Sequence, residues 1–152
     1  MTRTSATEAA SATATLREAT RRLAHQASNA ANAAAVNVEV LRSRLARGSG
    51  SADSLMAFAE RAAAAMEQVS AGVTATRALL AAMGEVAAEE SPLVRPVSGD
   101  PSAVKLIVSG VMPFDDAAVR FAEAAGVGLG TTPDGVILRV LRRGAAVDAV
   151  SE

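Results

Sequence analysis

Apolar residues recur at helical spacing along two stretches of the first 91 residues. In the second stretch one row repeats every seven residues and a second row follows four residues after each member: Leu55, Ala62, Val69, Thr76 and Met83, then Ala59, Met66, Val73, Leu80 and Ala87. In the first stretch the corresponding rows are Leu16, Leu23, Ala30 and Asn37, then Thr20, Ala27, Ala34 and Leu41. Both patterns predict long helices with a continuous apolar face.

A short glycine and serine segment at residues 48–52 separates the two stretches. A loop of this length predicts that the helices lie antiparallel, with Ser51 or Asp53 as the cap of the second helix. Because two helices alone cannot enclose a core, we expect the hairpin to pair with a second copy as a homodimeric four-helix bundle. The alternative is a monomer whose C-terminal part folds back over the hairpin.

All five prolines lie after residue 91, which predicts a change of architecture there. We therefore divide the chain into a hairpin, residues 1–91, and a small α/β unit, residues 92–152. Within that unit the pattern predicts a linker at 92–101, a buried strand or helix at 103–111, a helix at 115–125, a glycine loop at 126–130 and a strand at 136–141. So short a unit is expected to lean on the hairpin, and the predicted fold class is mainly α.

Composition removes several classes of function. The 152 residues carry a net charge of −1, which argues against a nucleic-acid partner bound through bulk positive charge. The absence of cysteine excludes disulfide scaffolds and thiolate metal sites, and a single histidine leaves too few ligands for most zinc sites. With no apolar leader and no long apolar window, we expect a cytoplasmic protein without a membrane partner.

The candidate chemistry lies on the first helix, where His25, Asn29 and Asn32 follow one another at i, i+4 and i+7. Asparagine disfavours helix interiors, so its recurrence on the face of the only histidine indicates a role. A neutral imidazole is a nucleophile that can carry a phosphoryl group, and carboxamides can hydrogen-bond the phosphoryl oxygens. Two other interpretations remain open: Asn37 fixes helix register, and His25 lines a solvated face.

Neighbouring residues complete the predicted site. Arg21 and Arg22 precede the histidine by one helical turn and could offset the charge of a phosphoryl group. Together with Gln26 and Ser28, they are the residues that we expect to contact a partner. No metal site and no cofactor of the chain's own are predicted.

The pattern His-x-x-x-Asn-x-x-Asn-Ala, continuing to Asn37-Val38-Glu39-Val40-Leu41, resembles the phosphoacceptor helix of the dimerisation and histidine-phosphotransfer domain of sensor histidine kinases. The similarity extends over roughly residues 10–90 through the hairpin length, the glycine loop and the expected dimer. It implies that His25 accepts the phosphoryl group and that Asn29 influences its removal. The chain departs from the family at Gln26, usually acidic, and at Ala30, usually proline.

The C-terminal part decides which member of that family the chain resembles. The run Gly126-Val127-Gly128-Leu129-Gly130 is similar to a kinase glycine box, but no asparagine follows Asn37 to hold Mg²⁺ beside ATP, and the unit is short. A hairpin with a shrunken, ATP-incompetent unit resembles instead the histidine phosphotransferases of bacterial phosphorelays.

The resemblance implies a phosphotransferase of two-component signalling, without ATP-dependent kinase activity, that passes phosphoryl groups between receiver-domain aspartates and His25. Its partners would be response-regulator receiver domains, which supply the Mg²⁺. The alternative is a non-catalytic homodimeric helical scaffold or regulator that docks two-component partners, which Gln26 favours.

Overall fold

The computed structural model describes residues 3–86, 92–108 and 114–142. Across these ranges the chain is mainly helical, with a small antiparallel sheet. In chain order the elements are α1 (Arg3–Ala46), α2 (Ala52–Ala82), β1 (Leu93–Val97), β2 (Asp100–Ile107), α3 (Asp116–Ala124), β3 (Val127–Thr132) and β4 (Gly135–Val140).

The two long helices form the predicted antiparallel hairpin. The chain reverses through Gly48, whose φ of 60° lies in the left-handed region that glycine tolerates best. Ser51 then caps α2, because its hydroxyl oxygen accepts a hydrogen bond from the Ser54 amide at 3.2 Å. Near this tip the Phe58 ring lies between the guanidinium groups of Arg44 and Arg61, whose central carbons are 4.8 and 4.6 Å from the ring centroid.

Contact between α1 and α2 is made mostly by small side chains. On α2 the buried residues are Ala62, Ala65, Gly72, Ala75, Leu79 and Ala81. The second predicted heptad row, which begins at Ala59, lies beside this contact. Its members Met66 and Val73 are 56% and 51% exposed in the single chain. The hairpin therefore carries a second apolar face that α1 does not cover. Ala87, the last residue of that row, lies outside the described residues.

The C-terminal unit corrects two predictions. Residues 92–101 are not a linker, since they contain β1 and the start of β2, and residues 126–130 are not a loop, since all but Gly126 belong to β3. The sheet order β1-β2-β4-β3 explains both errors. Pro96 and the glycines Gly128 and Gly130 are strand breakers in a sequence, but they fall on the two edge strands, where a missing donor or side chain is tolerated.

The remaining predictions for this unit are confirmed where they can be followed. The apolar run at 103–111 continues β2 to Ile107, and residues 109–111 lie outside the described part. The predicted helix is α3, which Asp115 caps by accepting a hydrogen bond from the Ala118 amide at 2.8 Å. The last predicted strand is β4, which pairs with both β2 and β3.

The core lies where the sheet and α3 pack on the open end of the hairpin. Its fully buried large side chains are Leu23, Leu79, Leu106, Leu138, Val104 and Val127. Thr15, itself buried, donates a hydrogen bond at 2.9 Å to the Pro101 carbonyl, and Ser11 donates to the same oxygen at 3.3 Å. The C-terminal unit thus packs against the hairpin, as expected.

This packing divides the hairpin into two halves. We call α1 up to residue 27, α2 from residue 71, the sheet and α3 the basal half. The rest of the hairpin, residues 28–70, is the distal half. Only small residues are buried in the distal half, namely Ala30, Ala34, Ala62 and Ala65.

Candidate functional site

His25 lies on α1 where the basal half meets the distal half. Leu23 and Ala30, seven residues apart, are buried against the rest of the molecule at 0% and 5% exposure. Because α-helical side chains repeat every 3.6 residues, the positions two, five, six and nine residues after Leu23 point away from this buried side. The side chains of His25, Ser28, Asn29 and Asn32 are all exposed. The histidine and both asparagines therefore share an accessible face of α1.

Gln26 points elsewhere. Its side chain is half-buried and lines a groove between α1, α2 and α3, whereas His25 beside it is exposed. Gln26 was predicted to contact a partner of His25, but consecutive helical positions diverge by about 100°. Of the polar residues predicted to contact a partner, Gln26 is the one that lines this groove beside α3.

One carboxylate holds both predicted arginines. Arg21 donates through Nε and Nη2 to the two oxygens of Glu18, each at 2.8 Å, and Arg22 donates through Nε to Glu18 Oε1 at 2.8 Å. These charge-assisted hydrogen bonds, that from Arg21 above all, lower the pKa of Glu18 to about 2. Two guanidinium groups against one carboxylate leave one positive charge in this cluster.

Arg22 also connects the hairpin to the C-terminal unit. Its Nη1 donates to the carbonyl oxygen of Gly126 at 3.0 Å and to that of Leu141 at 2.6 Å. These carbonyls lie where the chain enters β3 and leaves β4, so Arg22 binds two segments of the unit to α1. Sequence reasoning placed Arg22 among the partner-binding residues, whereas the structure gives it partners within its own chain. Arg21, with a side chain 68% exposed, remains accessible.

Sequence reasoning missed Glu18. Its signal was available, because an acidic residue three and four positions before two arginines is the spacing of helical ion pairs.

Asn37 also has a local explanation. Its side-chain amide donates to the Ala33 carbonyl at 2.8 Å, so its hydrogen bond goes to its own helix.

Helix α3 lies at the level of His25. A Cβ on Gly72 of α2 would be 2.6 Å from Cζ of Phe121 and 3.1 Å from the Cβ of Ala27, so only glycine lets the ring approach this closely. Phe121 is 5% exposed. Since Ala27 is two residues after His25, this contact fixes α3 at the level of the candidate site, on the side of α1 away from the exposed imidazole.

No protein-family model, no curated protein and no solved structure matches this chain. In the described ranges, no group of three or more histidine, cysteine, aspartate or glutamate side chains is placed to hold a metal ion. Over the same residues, no helix combines the length and the apolar character that crossing a membrane requires.

Proposed function

We propose that this chain is a histidine phosphotransfer protein of two-component signalling, with His25 as the residue that carries the phosphoryl group. The observation that carries the proposal is the exposure of His25 in line with Asn29 and Asn32. A receiver domain must bring its aspartyl phosphate within bonding distance of the imidazole, and an imidazole buried in a helix seam could not accept it. The pattern shared with sensor kinases supplies the class of partner, and cytoplasmic localisation follows as part of the proposal.

The proposed reaction is an in-line displacement at phosphorus. An unprotonated imidazole nitrogen of His25 attacks the phosphorus atom of the receiver's aspartyl phosphate, forming an N–P bond while the O–P bond to aspartate breaks. The aspartate carboxylate leaves with the electron pair of the broken bond, and the other ring nitrogen keeps its proton. Transfer to a second receiver reverses these steps. The Mg²⁺ that offsets phosphate charge belongs to the receiver.

Residues around His25 have supporting roles in this proposal. Asn29 and Asn32 lie one and two turns along the same exposed face, from which their amide groups can donate to phosphoryl oxygens. Arg21 lies one turn before the histidine and contributes the accessible part of the cluster's positive charge. Arg22 contributes by holding the C-terminal unit against α1 rather than by touching the partner.

We further propose that the C-terminal unit is a kinase-like remnant without ATP-dependent activity. Gly128 and Gly130 are paired in register with Arg139 and Ile137 of β4. Their backbone therefore belongs to a strand ladder, whereas a phosphate-binding glycine loop must leave its amide groups free to donate.

A homodimeric four-helix bundle completes the proposal. Large apolar side chains lie exposed along both helices of the distal half: Val36, Val38, Leu45, Met56 and Met66, each between 51% and 62%. Val38 and Leu45 on α1, like Met66 and Val73 on α2, are seven residues apart and share a face of their helix, and exposed apolar faces with this repeat suit a second helical hairpin.

The second candidate is a helical scaffold that docks two-component partners without being phosphorylated. Two observations favour it. Gln26 cannot act as a general base beside the histidine, and the charges of Arg21 and Arg22 are already engaged by Glu18. Both candidates require the same docking face, and they differ only in whether His25 becomes covalently modified.

The test is phosphoryl transfer from a panel of phosphorylated receiver domains. We expect acid-labile, base-stable label on the wild-type protein and none on His25→Ala. Thr74→Ala, an exposed change on α2, is the matched control and should be labelled like the wild type. Label that persists in His25→Ala would place the acceptor elsewhere. Receivers that bind the wild type without labelling it would establish the scaffold.

A further inference from the structure

We infer that the groove between α1, α2 and α3 is part of the docking surface for the receiver partner and selects that partner by its side chains. The inference rests on the proposed function, which requires a partner at His25. It adds α3 and the adjoining part of α2 to the surface that recognises this partner. The groove encloses about 400 Å³ and is lined by Gln26, Ala64, Glu67, Gln68, Ala71, Ala117, Arg120, Phe121 and Ala124.

The position of the groove supports this role. Gln26 lines it and is the residue next to His25, about 100° around α1, so a domain that covers the imidazole reaches the groove by extending around one side of the helix. Specific interfaces bury about 800 Å² on each partner, which is far more than one helix face around a histidine offers. This groove is a concave surface that such an interface can include on the side of Gln26.

The chemistry of the lining indicates what the partner presents. Alanine side chains and the edge of Phe121 form an apolar floor that accommodates an apolar side chain of the partner. Glu67 and Arg120 flank the floor from α2 and α3, both exposed. Among the described residues neither forms an ion pair. The complementary segment of a receiver therefore carries an apolar side chain between a basic residue that meets Glu67 and an acidic residue that meets Arg120.

The groove is also preformed. Phe121 lies against Gly72 of α2, and Ala27 of α1 lies against the same glycine, so the spacing of α3 and the two long helices is set by close contact. Arg22 binds the chain at both ends of the β3–β4 hairpin to α1. A preformed surface avoids the entropic cost of ordering on binding, as recognition by a small groove requires.

Two substitutions test the inference, each with a matched control on α2. Ala64→Trp fills the groove from its exposed rim, whereas Ala63→Trp places the same bulk one position away, outside the lining. Arg120→Glu reverses one flanking charge, and Arg77→Glu reverses an exposed charge that does not line the groove. Circular dichroism and thermal unfolding of all four variants will show whether each one folds.

The measurements are the equilibrium binding of each receiver in the panel and the rate of label transfer to His25. We expect Ala64→Trp and Arg120→Glu to weaken receiver binding about tenfold or more, while both controls stay within about twofold. If Ala64→Trp binds receivers as tightly as Ala63→Trp does, the groove is not part of the docking surface, and the phosphotransfer proposal is unaffected. If receiver binding is weakened by the groove substitutions but the wild type is never labelled, the groove is a docking surface and the phosphotransfer proposal is wrong. If no receiver binds the wild type, both proposals fail.

Discussion

The two halves of the hairpin are built from similar sequence but are stabilised differently. In the basal half, leucine side chains of α1 and α2 insert between the sheet and α3, and Leu23 and Leu79 are fully buried. In the distal half the buried contacts are made by alanines, while Met66 and Leu45 are more than half exposed. Since buried apolar area sets most of the stabilisation, the basal half is the folded core, and the distal half leaves large apolar side chains uncovered in the single chain.

His25 lies at the boundary between the two halves, where an exposed side chain is combined with a firmly held helix. The side chain is exposed, so a partner can reach it, while the helix that carries it is fixed one turn earlier by Arg22 and two residues later by the Ala27–Gly72–Phe121 contact. Farther along α1 the buried side chains are those of Ala30 and Ala34. The phosphoacceptor role that we propose for His25 needs a rigid support, and these contacts provide one at the end of the basal half.

The strongest test of the contrast removes one leucine from each half. Leu79→Ala should lower the free energy of unfolding by about 2–5 kcal/mol, because it opens a cavity in a core whose sheet and helices cannot collapse to fill it. Leu45→Ala, whose side chain is 59% exposed, should cost less than about 0.5 kcal/mol at low protein concentration. Urea unfolding followed by circular dichroism measures both. Equal losses would contradict the division into two halves.

The second test asks what covers the exposed apolar row of α2. Met66→Glu combined with Val73→Glu puts two charges into this row, and burying them against a second copy would be costly. We expect the dissociation constant of the dimer to rise about a hundredfold, measured by sedimentation equilibrium, which corresponds to about 2.7 kcal/mol.

The control for this test keeps the same spacing outside the row. Ala63→Glu combined with Ser70→Glu changes two exposed positions of α2 that are also seven residues apart. It should leave the dissociation constant within about threefold, in keeping with the small effects of surface substitutions. A wild-type protein that is monomeric at every concentration would contradict the homodimer.

The same contrast explains which features could be predicted from the sequence. Helical periodicity gave the hairpin, since burial every 3.6 residues depends on local geometry. The edge strands were missed because Pro96 and Gly128 break strands in isolation, and only the sheet order shows that they lie at edges. The exposure of His25 followed from the helical pattern, but the bonds from Arg22 to Gly126 and Leu141 join residues more than 100 positions apart, which no local pattern contains.

The smallest expected effect concerns the ion pairs of α1, one in the basal half at Glu18 and one in the distal half at Glu39. Glu18 binds both Arg21 and Arg22 in the basal half, and its pKa falls from 4.5 to about 2. A carboxylate whose pKa is lower in the folded state stabilises the protein above its unfolded pKa and loses that contribution as the pH falls toward its folded pKa. The contribution of Glu18 is therefore complete above about pH 5 and disappears toward pH 2. Because its side chain is 35% exposed, solvent screening reduces it to about 0.5–1 kcal/mol.

Glu18→Gln should consequently destabilise the protein at pH 7 and much less at pH 3, as measured by denaturant unfolding at both pH values. Glu39→Gln is the matched control in the distal half. Hydrogen bonds from Arg42 lower the pKa of Glu39 as well, but both side chains of this pair are exposed, and within the described part of the chain no third group joins them to another element. Its loss should therefore cost less than the loss of Glu18 at pH 7. If Glu39→Gln cost as much as Glu18→Gln, the link from Glu18 through Arg22 to the C-terminal unit would add nothing to the stability of the basal half.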